Sequence, residues 1–106
     1  MVKRILIRPK ANVDLDEQFS YIAERNFDVA LSFFDAARQS FLQLAKFPSI
    51  GKISNLTNSR LFGLRQWGVK GFEKYLIFYL EADEYIEIVR LIHATRDISQ
   101  ISAKEE

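Results

Sequence analysis

The only histidine of the chain, His93, lies in the stretch VRLIHATRDIS, between Arg90 and Arg96 and shortly before Asp97. Histidine exchanges a proton near neutral pH, and arginine holds phosphate or steadies a growing negative charge. RNA cleavage without a metal needs those parts: a base for the 2′-hydroxyl, an acid for the leaving oxygen, and cations over the phosphate. Arg65, Arg90, His93 and Arg96 are the residues that such a reaction would draft. Strand alternation works against them, because a strand over 86–93 puts Arg90 and His93 on opposite faces. The spacing favours a strand-end histidine held by a backbone or carboxylate partner, Asp97 or Glu73, and no catalytic residue is assigned. Arg96 and Asp97 suit a local ion pair, and an exposed pair adds only about 0–1 kcal/mol.

A second group is Arg65, Trp67 and Lys70, near a bend made possible by Gly68 and Gly71. An aromatic ring between two cations can stack on a base, grip phosphate or anchor a protein interface. The competing reading has Trp67 capping the core while both cations stay solvated. The only basic cluster lies here too: Arg60, Arg65, Lys70 and Lys74 face the single Glu73.

These residues need elements to position them. KRILIR, 3–8, alternates as a short strand ended by Pro9. Residues 13–25 read as a helix, with Asp14 and Glu17 at capping-box spacing and Leu15, Phe19, Ile22 and Ala23 on one face. Asn26 breaks it and can cap the next helix, 28–47, where Ala30, Phe33, Phe34, Ala37, Phe41 and Leu44 keep the helical rhythm. Pro48 and Gly51 stop that helix. Tyr21 and Phe27, near the junction, read as packing residues. A polar loop over 49–60 precedes three strands, 61–67, 74–80 and 86–93, and a polar tail runs from about Ser99. The expected fold is α+β: an N-terminal strand, an antiparallel helical hairpin, then a three-stranded antiparallel meander completing one sheet.

A turn centred on Asp83 and Glu84 sets Phe78 opposite Val89, Leu76 opposite Leu91, Ile77 opposite Arg90, and Lys74 opposite His93. The Leu76, Phe78 and Leu80 face is then purely apolar and is the expected seat of the helices. A one-residue slip would drive Arg90 onto that face at a desolvation cost. The chosen register leaves Tyr75, Ile77 and Tyr79 on an uncovered face, a candidate partner groove unless the N-terminal strand and the tail cover it.

The bulk numbers bound the function. One domain spans the 106 residues, and 48% hydrophobic with 27% charged residues describes a folded chain. With no cysteine and one histidine, disulfides, thiolate zinc sites and histidine metal clusters are excluded, and no cofactor is expected. No stretch suggests a signal peptide or a membrane span, so the expected location is cytoplasmic. A net charge of +1 argues against binding nucleic acid by bulk electrostatics, and no direct sequence-specific nucleic-acid binding is expected.

Four stretches carry a family resemblance. P-x-A-x-x-D-L with YIAERN downstream, FP-x-I-G after the long helix, LFGLRQWGVKGFEKYLIFY and IEIVRLIHATRDI together resemble the ParE branch of the ParE/RelE toxin family, from about Ile5 to Ile101. Gly68 departs from the family pattern, which often has proline after the tryptophan. The resemblance implies a small antiparallel sheet with an N-terminal helical hairpin. It also implies the toxin of a type II toxin–antitoxin pair, with DNA gyrase as target and a ParD-like antitoxin that folds onto it. RelE-like relatives imply a rival reading, a ribosome-dependent mRNA endoribonuclease. A third is an inactive or solitary member that only binds antitoxin. The expected partner-binding residues are Arg65, Trp67, Lys70, Tyr75, Tyr79, Arg90 and Arg96, with the peptide lying on the helical hairpin and the sheet face around Tyr75 and Tyr79.

Overall fold

The computed structural model describes residues 2–54 and 62–95. Arg60, Arg96, Asp97 and the polar tail lie outside them. The element order is β1 (Arg4–Ile7), α1 (Pro9–Ala23), α2 (Phe27–Lys46), β2 (Lys52–Ile53), β3 (Arg65–Val69), β4 (Phe72–Glu81) and β5 (Tyr85–His93). The α+β class and the β3–β4–β5 meander agree with the sequence reading. No helix among the described residues is long and apolar enough to cross a membrane.

Helix α1 starts earlier than its supposed capping box. Arg8 is extended at the N-cap and makes no side-chain cap, and Pro9 opens the helix with its ring-fixed φ. Asp14 is therefore mid-helix and buried, its carboxylate engaged elsewhere. Asn26 does cap α2: its Oδ1 accepts the Val29 N–H at 3.1 Å. Asp28 in the first turn and Lys46 in the last complement the helix dipole. Phe19 closes the hairpin with edge contacts to Phe34 at 5.9 Å and Phe27 at 6.1 Å. Tyr21 and Phe27 nonetheless remain mostly exposed, so they are not interior packing residues.

The five strands lie in the order β1-β5-β4-β3-β2. β1 runs parallel to β5, with Arg4 beside Tyr85 and Ile7 beside Ile88, so the sheet is mixed rather than antiparallel. Helices connecting β1 to the rest allow this crossover. β2 adds a two-residue edge inside the expected polar loop. Between β3 and β4 the chain turns on Lys70 and Gly71, and Gly71 adopts φ +82°.

The β4–β5 register corrects the expected one. Near the turn it holds, with Tyr79 opposite Ile88 and Leu80 opposite Glu87, but a bulge then shifts it by one residue. Beyond the bulge Phe78 faces Arg90, Ile77 faces Leu91, Leu76 faces Ile92, and Tyr75 faces His93. The helices also sit on the opposite face from the expected one. Ala11, Leu15, Phe33, Ala37, Phe41 and Leu44 pack on Ile77, Tyr79, Ile86, Ile88 and Leu91. Leu64, Phe78, Val89 and Ile92 form a second buried cluster with Leu76 and Leu80. Arg90 was the reason to keep the helices off the Ile77 face. The bulge removes Arg90 from the position opposite Ile77 and places Leu91 there, so that face is free to become the core.

Candidate functional site

The side chains singled out by sequence fall into three places around the helix-covered face. The first joins α2 to β3 and β4. Tyr79, fully buried, donates its hydroxyl to the Pro48 carbonyl at 2.6 Å and accepts the Gly51 N–H at 3.0 Å. Arg65, opposite Tyr79 in the ladder, donates to the Gly51 carbonyl at 2.7 Å and the Ser49 carbonyl at 3.3 Å. Burial pushes the Tyr79 phenol above the usual tyrosine range, while the Gly51 N–H and the Arg65 charge pull it back. Gly51 has to be glycine here, since a Cβ would lie 2.8 Å from Tyr79 Cε1 and 2.9 Å from the Gln66 carbonyl and collide with the hydroxyl. Tyr79 is thus a core residue, not part of an open groove.

The second place is the far end of the sheet. Tyr75 is wedged between Phe33 and His93, each ring centroid 4.8 Å away, and Phe72 continues the row at 5.4 Å from Phe33. Burial, and then the nearby Tyr21, raise the Tyr75 phenol above its ordinary value. Arg25 stacks over the Tyr21 ring at 4.0 Å. Among the described residues the His93 partner is Thr95: Nδ1 lies 2.8 Å from Thr95 Oγ1 and accepts the Thr95 N–H at 3.2 Å, while Asp97 lies outside them. Trp67 is partly buried against the main core, while Lys70 is exposed at the turn, its N–H 3.4 Å from the Ser40 hydroxyl oxygen. The Glu73 carboxylate accepts the Gly71 N–H at 2.8 Å and so belongs to the turn rather than to His93.

The third place was not anticipated. Arg90 makes a two-pronged ion pair with Asp14, Nε to Oδ2 at 2.6 Å and Nη2 to Oδ1 at 2.9 Å. Asp14 Oδ2 also accepts the Leu91 N–H at 3.0 Å, and Gln18 Nε2 donates to the Leu91 carbonyl at 2.7 Å. Asp14 stands in the sequence as a capping residue, and its partner is seventy-six positions away, so spacing gives no hint of the pair. One signal was available. Ile88-Val89 and Leu91-Ile92 are adjacent apolar pairs around Arg90, a change of alternation phase that a bulge would produce.

Chemically, the arrangement does not assemble the drafted acid–base set. Arg65 holds a loop, Arg90 holds α1, and His93 meets the Tyr75 ring edge to face, while Arg96 lies outside the described residues.

Two comparisons bear on this geometry. A family model described as "ParE toxin of type II toxin-antitoxin system, parDE" matches residues 5–98. Among solved structures, a chain from the chromosomal ParDE system of P. aeruginosa superposes with a TM-score of 0.67 at 16% identity. It covers 87% of this chain and 96% of its own, a likeness of fold. No curated protein sequence matches the chain.

Proposed function

The chain belongs to the ParE toxin family of type II toxin–antitoxin systems, and from that premise we propose that it acts by binding DNA gyrase in the cytoplasm and is neutralised by a cognate ParD-like antitoxin. The observation that carries the binding reading is the employment of its cations. Arg65 and Arg90 are committed to the loop after α2 and to α1, at 2.7 and 2.6 Å, so neither points at a shared reaction centre with His93. The surface supports the same reading. The helical hairpin keeps Val13, Tyr21, Phe27, Leu31 and Leu42 exposed, apart from the core that its other face builds with the sheet. An antitoxin segment that folds on binding would bury such side chains, gaining about 25 cal/mol per Å² of apolar area. That seat replaces the sheet face around Tyr79, which the helices occupy.

A supercoiling assay run beside a translation-coupled cleavage assay tests the proposal. We expect inhibited supercoiling with accumulation of cleaved gyrase–DNA complexes, relieved by antitoxin, and intact ribosome-bound message. Cutting of the message with gyrase unaffected would replace this reading with the endoribonuclease one. Antitoxin binding with neither activity would leave a solitary, antitoxin-binding member.

A further inference from the structure

The ladder between β1 and β5 ends at Ile7 and Ile88, followed only by the Arg8 N–H to the Ile88 carbonyl at 3.0 Å. Past that point β5 continues through His93, and among the described residues no strand lies on its outer side. An unpaired edge exposes N–H and C=O groups that must be satisfied or covered. At Leu91 both are met from α1: the Asp14 carboxylate takes the N–H and the Gln18 amide supplies the carbonyl's donor. Two side chains one helical turn apart thus do what a neighbouring strand would do. The same carboxylate also holds Arg90, which follows the unpaired Val89 of the bulge.

The two jobs meet in the register. Without the bulge, the pairing seen near the turn would run on: Arg90 would face Ile77 under the helices, Ile92 would face Tyr75, and His93 would face Lys74. With it, Leu91 faces Ile77 and His93 faces Tyr75. Because residues 88, 89, 91 and 92 are all apolar, the positions flanking Arg90 fit either arrangement, and the Arg90 charge is what disfavours the regular one. We propose that Asp14, with Gln18, is a register lock: by holding Arg90 and the Leu91 backbone to α1 it selects the bulged pairing and so places His93 on the helix side against Tyr75. Asp14 is a positioning residue in this account, acting through β5 on a side chain that it does not touch.

The groups facing the bulge agree with this role. The ion pair is largely buried, with the Arg90 side chain 15% and the Asp14 side chain 10% exposed. A buried pair is costly to break at one partner, whereas replacing both by apolar groups is often tolerated. That asymmetry makes the proposal testable in a folded protein.

The test is NMR on the full chain, following the Leu91 amide and the ring contacts of Tyr75. In Asp14→Ala, the Leu91 amide should exchange about 10–100 times faster than in the unsubstituted chain, as expected for losing a hydrogen bond to a charged group, while the Ile77 and Phe78 amides keep their relative protection. The double variant Asp14→Leu/Arg90→Met keeps the experiment decisive if the single one does not fold. It removes both the lock and the charge that opposes regular pairing. We expect the Tyr75–His93 ring contact to vanish and a Tyr75–Ile92 contact to take its place. A folded double variant that retains the Tyr75–His93 contact would show that the bulge is set by β4 and β5 alone, and would overturn the proposal.

Discussion

Two polar clamps fasten the helices to the sheet, and they work in different ways. At one flank Tyr79 and Arg65 bind carbonyls and an N–H of the loop after α2, using a neutral phenol and a partly buried cation. At the other, Asp14 binds Arg90 and the Leu91 backbone through a buried ion pair. The first clamp attaches a loop to a ladder that is already regular, with Arg65 opposite Tyr79. The second sits where the ladder is irregular, and its removal exposes a choice of registers. The first clamp joins a hydroxyl and a partly exposed cation to backbone groups, whereas the second sets a largely buried ion pair beside the irregular part of the ladder.

The largest effect should come from breaking the second clamp at one partner. Asp14→Ala leaves the Arg90 guanidinium in a largely buried place, and a loss of about 3–5 kcal/mol is expected. Denaturant unfolding measures it, and a loss under about 1 kcal/mol would remove the distinction between the clamps. Tyr79→Phe should cost less, about 1–3 kcal/mol, because it leaves the Gly51 N–H and Pro48 carbonyl without the hydroxyl. Its effect also has a pH signature. Tyr79 is raised in the folded state by burial, so the neutral phenol stabilises the fold below the unfolded tyrosine value, about 10, and that contribution is lost as pH rises through the folded value. Alkaline unfolding of Tyr79→Phe should therefore begin at higher pH than its lower stability alone would suggest. An identical alkaline limb in both proteins would contradict this. The smallest effect belongs to Glu87→Gln, which removes the Arg8 contact at 2.7 Å in the regular part of β5. Both side chains are partly exposed, and a change of about 0–1 kcal/mol is expected.

The two flanks also differ in how far the sequence foretells them. Helical periodicity in α2, the Asn26 cap, the hairpin and the three antiparallel strands are local patterns, and all are present in the structure. So was the resemblance that the family match establishes. Three features escaped local reading, two of them because they depend on distant partners. Pro9 opens α1, but the Asp14-Glu17 spacing imitates a later start. β1 joins β5 in parallel, a pairing that no hairpin signal announces. Arg90 made the true core face look forbidden, because its cost was judged without Asp14. Of the residues expected to bind a partner, Arg65 and Tyr79 fasten the loop after α2, Trp67 packs on the core, and Lys70 stays on an exposed turn. Alternation put Arg90 and His93 on opposite faces. The bulge lies before Arg90, so it exchanges the faces the two take and keeps them opposed, Arg90 facing Phe78 and His93 facing Tyr75, and Asp14 engages Arg90 besides.

The most direct test of the central claim, that this toxin acts by binding and not through its histidine, is gyrase inhibition by His93→Ala. Folding is checked first by circular dichroism, since the substitution removes the Tyr75 ring contact and the Thr95 N–H acceptor. The account predicts inhibition of supercoiling equal to that of the unsubstituted chain. Abolished inhibition in a folded variant would contradict it.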